Sequence, residues 1–200
     1  MKLKVICLKI IKNLPYSILR IFLLKTFFGY EIGKNVFIGK VFINCKKVYI
    51  GDNVFIANKN SFSCGLINIG SNTKIHSGNS FLGKSDFIIG NNSRIINNHF
   101  FDLTNNISLG SETWVAGKNS EFWTHGSTGT KLNLKNLSIN IEDNIYISSS
   151  AKIAPGVKII SNNLIGLGSV VAGTFDESNT IILGNPAKVV KSNIDWRKNW

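Results

Sequence analysis

The sequence predicts an all-β fold: a parallel β-helix of hexapeptide repeats with a short N-terminal helical segment. First, an aliphatic residue returns every six positions from Ile141 to Ile165. Second, Ile-Gly or Leu-Gly pairs recur between residues 32 and 110 at intervals of 18, 19, 20 and 20 residues, close to three sixes each. Third, Asn, Asp, Gly and Ser stand between the aliphatic residues, and Asn and Gly tolerate the positive φ that tight corners need. A period of six fits neither a helix nor one long strand, but it fits a coil with flat, repeating faces.

Residues 1–29 predict an amphipathic helical cap. The first 28 residues are apolar, contain no acid, and carry six interspersed cations: Lys2, Lys4, Lys9, Lys12, Arg20 and Lys25. Asn13-Leu14-Pro15 indicates a break between two helices, with Asn13 as the N-cap of the second. The charges leave no apolar run long enough to span a bilayer, and no signal-peptide cleavage pattern follows. Two interpretations stay open: a lid over the open end of the coil, and a peripheral contact with an anionic membrane, for which the cations at positions 2, 9, 12 and 20 would share one side.

Residues 30–191 predict the coil itself, and residues 192–200 a short tail. In-register aliphatic residues, such as Ile38, Ile56, Ile75 and Ile95, should point inward and stack from turn to turn. The interval from residue 109 to residue 141 is 32 residues, 14 longer than a minimal turn of 18. The excess follows His125 and predicts a loop at 126–140 that covers an active site, because long excursions from a rigid scaffold are often functional.

Composition limits the partners. The length of 200 residues is typical of one domain. The formal charge of +12 indicates a partner that is nucleic acid, an anionic membrane or an anionic small ligand. No zinc-finger spacing or aromatic-plus-basic motif is present, so we expect no nucleic-acid partner. Three scattered cysteines, Cys7, Cys45 and Cys64, indicate free thiols in a reducing cytoplasm. We therefore expect a cytoplasmic protein, with contact at the inner face of the membrane as the open alternative.

The C-terminal half resembles a known family. The phrases IEDNIYIS, PGV, IGLGSVV and LGNPAKVVK are similar to IGDNVWIG, PGV, IGAGSVV and GNPAKVI of the hexapeptide-repeat acyltransferases, the sugar O-acetyltransferases in particular. The resemblance covers about residues 30–191. It implies a left-handed coil, acetyl-CoA as acyl donor, and a homotrimer that builds its sites between neighbouring subunits.

The resemblance places a general base at His125, in EFWTHGSTG, one residue before the long excursion. A neutral imidazole titrates near pH 6.5 and can take the proton of a hydroxyl as it attacks a thioester. One turn earlier, Asn97, Asn98 and Asp102 occupy the region where the family holds the acceptor hydroxyl or orients the base; turn-forming roles are equally open. Trp123 offers a flat surface for a sugar ring, or packs.

Further site residues are carried over by position. The backbone amide of Ser149 is the expected oxyanion donor. Tyr146 stands where the family has Trp and would keep an aromatic wall, and Ser148 stands where it has Gly. Coenzyme A is expected along the last turns, with two clusters of contacts: Gly166, Gly168 and Ser169 for the pantetheine arm, and Lys188 and Lys191 for the phosphates. Leu167 replaces a common Ala there, and Glu177-Ser178 replaces Pro-Pro.

Other functions remain open beside an acetyl-CoA-dependent O-acetyltransferase of a bacterial surface glycan or its precursor. The base would serve N-acetylation of an amino sugar nucleotide equally well. A non-catalytic assembly or binding module is the alternative from another class. A zinc hydratase similar to the γ-class carbonic anhydrases needs three convergent imidazoles. His76, His99 and His125 stand at offsets 7, 10 and 16 in their turns, on two faces, so we expect no metal.

Overall fold

A computed structural model of the chain describes residues 2–126 and 136–198. Two helices, α1 (Lys2–Asn13) and α2 (Ser17–Phe28), precede the strands. Sheet 1 contains β1 (Glu31–Ile32), β4 (Lys47–Ile50), β7 (Leu66–Ile69), β10 (Phe87–Ile89), β13 (Ile107–Leu109), β16 (Ile139–Ile141), β19 (Lys158–Ile159) and β22 (Thr174–Phe175). Sheet 2 contains β2 (Phe37–Ile38), β5 (Phe55–Ile56), β8 (Lys74–Ile75), β11 (Arg94–Asn97), β14 (Trp114–Lys118), β17 (Tyr146–Ile147), β20 (Leu164–Ile165), β23 (Ile181–Gly184) and β24 (Ala187–Lys191). Sheet 3 contains β3 (Phe42–Ile43), β6 (Ser61–Ser63), β9 (Ser80–Gly83), β12 (Phe100–Leu103), β15 (Glu121–Phe122), β18 (Lys152–Ile153) and β21 (Val170–Val171).

These strands form a parallel β-helix, as the sequence predicts. Each sheet takes every third strand up to β23, and neighbouring strands run parallel, so one turn of the coil contributes one strand to each sheet. The register pairs Ile32 with Ile50 and Ile50 with Ile69, which confirms the predicted turn positions. The last strand, β24, departs from the pattern and pairs antiparallel with β23. The left-handed sense stays a prediction of the resemblance.

The core is a stack of like side chains inside the coil. Ile56, Ile75 and Ile95 are fully buried and in register, as predicted. On sheet 3, a column of phenylalanine rings replaces the aliphatic residues, with Phe81 and Phe101 stacked at 4.5 Å between ring centroids. Because every turn buries the same positions, the packing fixes which residues can reach each corner.

A buried polar ladder runs inside the corner between sheets 2 and 3. In each rung, one side chain accepts the backbone N–H of the equivalent residue in the next turn: Asn60 accepts from Asn79 at 2.8 Å, and Asn79 accepts from His99 at 2.9 Å. The Nδ1 atom of His99 then accepts from the Ser120 N–H at 3.0 Å. The two asparagines also donate from Nδ2 to two carbonyls each. His99 makes no corresponding donation from Nε2 among the described residues.

The helices cover the first turn, with Leu8, Ile11 and Leu24 buried against it. Arg20 is 4% exposed, and its guanidinium donates to the Ile38 carbonyl at 2.7 and 3.0 Å. Arg20 thus fastens the cap to the coil, and the expectation that it shares an outer side with the lysines is wrong.

The predicted start of the second helix is also wrong. Asn13 ends α1 and donates from Nδ2 to the Lys9 carbonyl, whereas α2 begins at Ser17 with Tyr16 as an N-cap that makes no side-chain bond. The Ser17 hydroxyl, which could have capped α2, accepts the Ile38 N–H instead. A contact with the coil therefore outweighs local capping.

Candidate active site

The chain passes from sheet 3 to sheet 1 at a corner that carries His125. We call residues 102–104 and 123–126 the His125 corner. Register between β12 and β15 pairs Phe101 with Phe122, which places the end of β12 beside the segment after β15. The predicted loop at 126–140 leaves from here, and its residues 127–135 lie outside the described part of the chain.

Asp102 and His125 contact each other directly at this corner. The Oδ2 atom of Asp102 lies 2.7 Å from Nδ1 of His125. The Asp102 carboxylate also accepts the Thr124 N–H at 2.9 Å and the Thr104 hydroxyl at 2.9 Å. Its side chain is 8% exposed, whereas that of His125 is 54% exposed. The carboxylate is therefore fixed in the wall, and the imidazole projects from it.

The surroundings keep Asp102 ionised. Burial raises the pKa of Asp102, but hydrogen bonds from His125, Thr124 and Thr104 outweigh burial and hold the pKa below its ordinary value of 3.8. A carboxylate only accepts hydrogen bonds, so Nδ1 of the imidazole must carry the proton. In the neutral ring, Nε2 then holds the free lone pair. This arrangement can accept a proton from a bound hydroxyl.

An aromatic side chain stands next to the imidazole. The Trp123 ring lies edge-on to His125, with 5.9 Å between ring centroids, and is 37% exposed. Its Nε1–H donates to Glu121, which forms an ion pair with Lys152 at 2.5 Å. The indole plane is thus held in place and partly open to a ligand.

Sequence reasoning missed the two threonines that fix Asp102. The 21-residue spacing of the Phe101–Phe122 pair, applied to His125, points to residue 104. The length of one turn would therefore have been enough to predict that Thr104 lies beside His125. Thr124, whose hydroxyl donates to the Asp102 backbone carbonyl at 2.7 Å, precedes His125 and carried no such signal.

The second predicted group lies at the corner between sheets 2 and 3. We call residues 96–98, 116–119, 148–150 and 166–168 the Ser149 corner. The Ser149 hydroxyl accepts the Lys118 N–H at 3.3 Å, and its carbonyl accepts the Gly168 N–H at 3.0 Å. Within the described residues, the Ser149 N–H donates to no acceptor. An amide directed outward without a partner is the feature that an oxyanion donor requires.

The ladder described above holds this corner. The Ser120 hydroxyl donates to the Ser148 carbonyl at 3.1 Å and accepts the Ala151 N–H at 3.2 Å. These two bonds lie on either side of Ser149. The bond to the Ser148 carbonyl fixes the peptide unit that joins Ser148 to Ser149, in which the N–H points opposite to the carbonyl, so the direction of the Ser149 amide is set from inside the coil.

A groove of about 600 Å³ extends from Ser149 toward the N-terminal turns. Asn97 and Asn98 line it, together with Gly117, Lys59 and Lys118. The Asn97 side chain accepts the Ser77 N–H at 3.0 Å, a contact typical of a turn. The structure thus brings the two asparagines to Ser149, and Asp102 to His125.

The predicted coenzyme A residues fall into two places. Gly166 and Gly168 belong to the Ser149 corner, and the fully buried Ser169 follows them, with its hydroxyl donating to the Gly166 carbonyl at 2.8 Å. Lys188 and Lys191 lie exposed on β24, at the edge of sheet 2.

Tyr146 lies on the outer surface of sheet 2, at neither corner. Its ring packs against Trp196 at 5.3 Å, and Trp196 donates to the Asn144 carbonyl. The Arg197 guanidinium lies over the Trp196 ring at 4.5 Å. The described tail, through residue 198, therefore covers this surface, and sequence reasoning gave no sign of it.

The Ser149 corner and the His125 corner lie at opposite ends of the strands of sheet 3. Ser120, which touches the Ser149 corner, and His125 are five residues apart along extended chain, roughly 16 Å at about 3.3 Å per residue. Within one chain, the imidazole and the Ser149 amide do not face a common point.

No protein-family model matches the chain. It is 42% identical over 53 residues to a Saccharomyces cerevisiae protein named as a proposed acetyltransferase, YJL218W, covering 26% of each. A Schizosaccharomyces pombe protein named in the same way, C18B11.09c, is 40% identical over 55 residues, covering 28% of this chain and 26% of the relative. The match thus spans about a quarter of each relative.

Solved structures resemble the chain over most of its length. The polySia-specific acetyltransferase NeuO is 19% identical, with 84% of this chain and 83% of that chain covered and a TM-score of 0.50. The hexapeptide-repeat-containing acetyltransferase VCA0836 from Vibrio cholerae is 20% identical, with 94% and 88% covered and a TM-score of 0.49. At such identities the likeness concerns the fold. The chain thus shares its fold with the solved acetyltransferase structure NeuO.

Proposed function

We propose that the protein transfers an acetyl group from acetyl-CoA to a sugar hydroxyl, with His125 as general base. The Asp102–His125 contact of 2.7 Å carries the proposal, because it leaves Nε2 as the proton acceptor on an exposed ring. The acceptor oxygen attacks the thioester carbonyl while Nε2 takes its proton. The Ser149 N–H stabilises the resulting oxyanion, and the departing thiolate then takes the proton from the imidazole.

We propose further that the site forms between two subunits of a homotrimer. One subunit supplies the His125 corner and its neighbour supplies the Ser149 corner, since the two corners of one chain are roughly 16 Å apart. Coenzyme A would then follow the Ser149 corner toward its C-terminal side, past Gly166 and Ser169. Lys188 and Lys191 would meet its phosphates. No covalent acyl-enzyme is needed in this direct transfer.

The groove on the N-terminal side of Ser149 is then the place for the acceptor. Asn97 and Asn98 offer amide groups to sugar hydroxyls. Lys59 and Lys118 are both exposed, and no carboxylate is among the groove's lining residues. Lys59 also has a φ of 65°, where the equivalent residues of later turns are Gly78 and Asn98. A lysine in this unfavourable conformation supports an acceptor with an anionic group.

The test is transfer of labelled acetyl from acetyl-CoA to matched acidic and neutral glycans. We expect label in the glycan that is released by mild alkali, as an ester is, and a lower KM for the acidic glycan. Label that resists alkali would indicate an amide and therefore N-acetylation. Absence of transfer to any glycan, together with no rise in melting temperature on adding coenzyme A, would contradict the proposal and leave a non-catalytic module.

A further inference from the structure

The helical cap exposes large apolar side chains on the side that faces away from the coil. In α1 and α2, six of them are more than half exposed: Leu3 74%, Ile6 54%, Ile10 60%, Ile18 79%, Phe22 59% and Phe27 70%. We call these six residues the cap patch. Single exposed apolar residues are normal on protein surfaces, but a cluster of this kind marks an interaction site.

The cap patch is not unfilled packing against the coil. Leu8 and Ile11 of α1 and Leu24 of α2 already bury the face toward the first turn, and Arg20 fastens it. In α1, Leu3, Ile6 and Ile10 follow the three- and four-residue spacing of one helix face, opposite to the buried residues. In α2, Ile18 and Phe22 are four residues apart and share a face, whereas Phe27 lies toward α1, at a hollow between the helices. Each helix therefore exposes apolar residues besides those that it packs against the coil.

The two helices also share an apolar hollow. It measures about 290 Å³ and is lined by Ile10 and Phe27 of the cap patch, with Cys7, Leu23 and two further apolar residues beside them. A neighbouring hollow, between Ile6 and Pro15, includes Lys9. Apolar surface and an exposed cation thus lie side by side.

The charges around the patch have one sign. No acid precedes Glu31. Lys4 and Lys25 donate to the Cys45 and Ile32 carbonyls of the coil, so Lys9 and Lys12 are the cations that the described helix side chains leave for headgroups. A second copy of the chain docked on the patch would bring like charges together without a carboxylate to pair with them. An anionic bilayer surface accepts both features, because acyl chains receive the apolar side chains and headgroups receive the ammonium groups.

No helix among the described residues is long and apolar enough to cross a bilayer. We propose that α1 and α2 lie in the interface of an anionic membrane, with the cap patch inserted among the lipid chains. The coil then points away from the membrane. From β3 to β15 there are four rungs of sheet 3, so the His125 corner stands about 19 Å beyond the first turn at about 4.8 Å per rung.

This position has a consequence that rests on the proposed function. A membrane-anchored acceptor would have to extend past the cap and several turns to reach His125. The acceptor that fits is a lipid-linked glycan of several sugars, rather than a single sugar on a lipid.

The test is flotation of the full-length protein with vesicles of phosphatidylcholine, alone or mixed with phosphatidylglycerol. We expect binding to the mixed vesicles, weakened by added salt, since screening acts on surface charges. Phe22→Glu should weaken the binding at least about tenfold, because it places a charge in the inserted face. Ile88→Glu, on sheet 1 with an exposure of 40%, is the matched control and should bind as the unchanged protein does.

Two outcomes would overturn the proposal. One is equal or no binding to both kinds of vesicle. The other is self-association that depends on protein concentration and disappears in Phe22→Glu, which would identify a second copy as the occupant. Acetyl transfer to a soluble glycan should be the same in Phe22→Glu and the unchanged protein, so a failure of the membrane proposal is separable from a failure of the proposed function.

Discussion

The two corners at the ends of sheet 3 differ in kind. At the His125 corner the chemistry belongs to side chains: a buried carboxylate fixes an exposed imidazole beside an indole. At the Ser149 corner the chemistry belongs to the backbone. The Ser149 N–H is unpaired, and the buried Ser120 hydroxyl orients it through hydrogen bonds to the neighbouring backbone. Each corner offers what the other lacks. The comparison teaches that one chain carries both halves of the proposed acyl-transfer site but does not bring them together.

The largest effect should come from the His125 corner. His125→Ala removes the proposed proton acceptor, so we expect kcat to fall by about 10²- to 10⁴-fold. The melting temperature should fall only slightly, because the side chain is 54% exposed and its loss removes one hydrogen bond from Asp102. His76→Ala is the matched control: this half-buried histidine contacts Phe55 and is expected to leave kcat unchanged. Near-normal turnover in His125→Ala would remove the base from the mechanism.

The next effect tests how the base is oriented. Asp102→Asn can donate to Nδ1, which would place the ring proton on Nε2 and block proton transfer. We expect kcat to fall about 100-fold with little change in KM. A variant that loses substrate affinity at unchanged kcat would instead assign Asp102 to acceptor binding.

The same variant has a pH signature. The pKa of Asp102 is lowered in the folded state, so its ionised form adds stability that is present above pH 3.8 and is lost as pH falls below it. The difference in unfolding free energy between the unchanged protein and Asp102→Asn should therefore shrink on acidification below pH 3.8. Denaturant unfolding at several pH values measures it. A constant difference would mean that the carboxylate's hydrogen bonds do not stabilise the fold.

A smaller effect is expected at the Ser149 corner. Gly117 has a φ of 63°, and a Cβ there would lie 1.6 Å from the Ser149 hydroxyl oxygen, so Gly117→Ala must displace that side chain. We expect kcat/KM to fall about tenfold. Gly173→Ala is the control: its φ is 93° and a Cβ would meet no atom within 4 Å, so it carries strain without contact. Equal kinetic effects in both variants would exclude a specific role for the corner.

The smallest expected effect concerns stability. The buried Nε2 of His99 has no hydrogen bond of normal geometry among the described residues, and the nearby Gly117 backbone only partly offsets the effect of burial on its pKa. Asparagine at this rung could keep the bond to Ser120 and donate as Asn60 and Asn79 do. His99→Asn should therefore raise the unfolding free energy by about 1 kcal/mol at neutral pH. A lower melting temperature than that of the unchanged protein would contradict this account.

The stability gained in His99→Asn should depend on pH. Burial lowers the pKa of His99 to about 4, so the folded state excludes a proton that the unfolded state binds below about pH 6.5. Stability of the unchanged protein is thus lost as pH falls from 6.5 to 4, by up to roughly 3 kcal/mol, and His99→Asn does not share this loss. Unfolding midpoints at pH 7.5 and pH 4.5 should differ more between the two proteins at the lower pH. A pH-independent gain would show that His99 is not the titrating group.

The periodic part of the molecule was predictable from sequence and the rest was not. Ile38, Ile56 and Ile75 occupy the core positions that the six-residue spacing predicts, because every turn of the coil buries equivalent residues. The family resemblance, rather than spacing alone, named Asp102 as a residue that could orient His125. Spacing could not place Arg20, which lies in the cap, or predict that Trp196 of the tail packs on Tyr146, because the cap and the tail lack the repeat. The departures lie where the chain leaves the coil.

The central claim is that the two corners meet across a subunit interface. Its most direct test is a mixed trimer of two inactive variants, His125→Ala and Ser148→Trp, where the tryptophan stands next to Ser149 and blocks that corner. If neighbours supply the halves, co-expressed subunits regain activity in about one site in four, where an intact imidazole meets an intact Ser149 corner. If mixed trimers form and remain as inactive as their parents, both halves come from one chain and the account is contradicted.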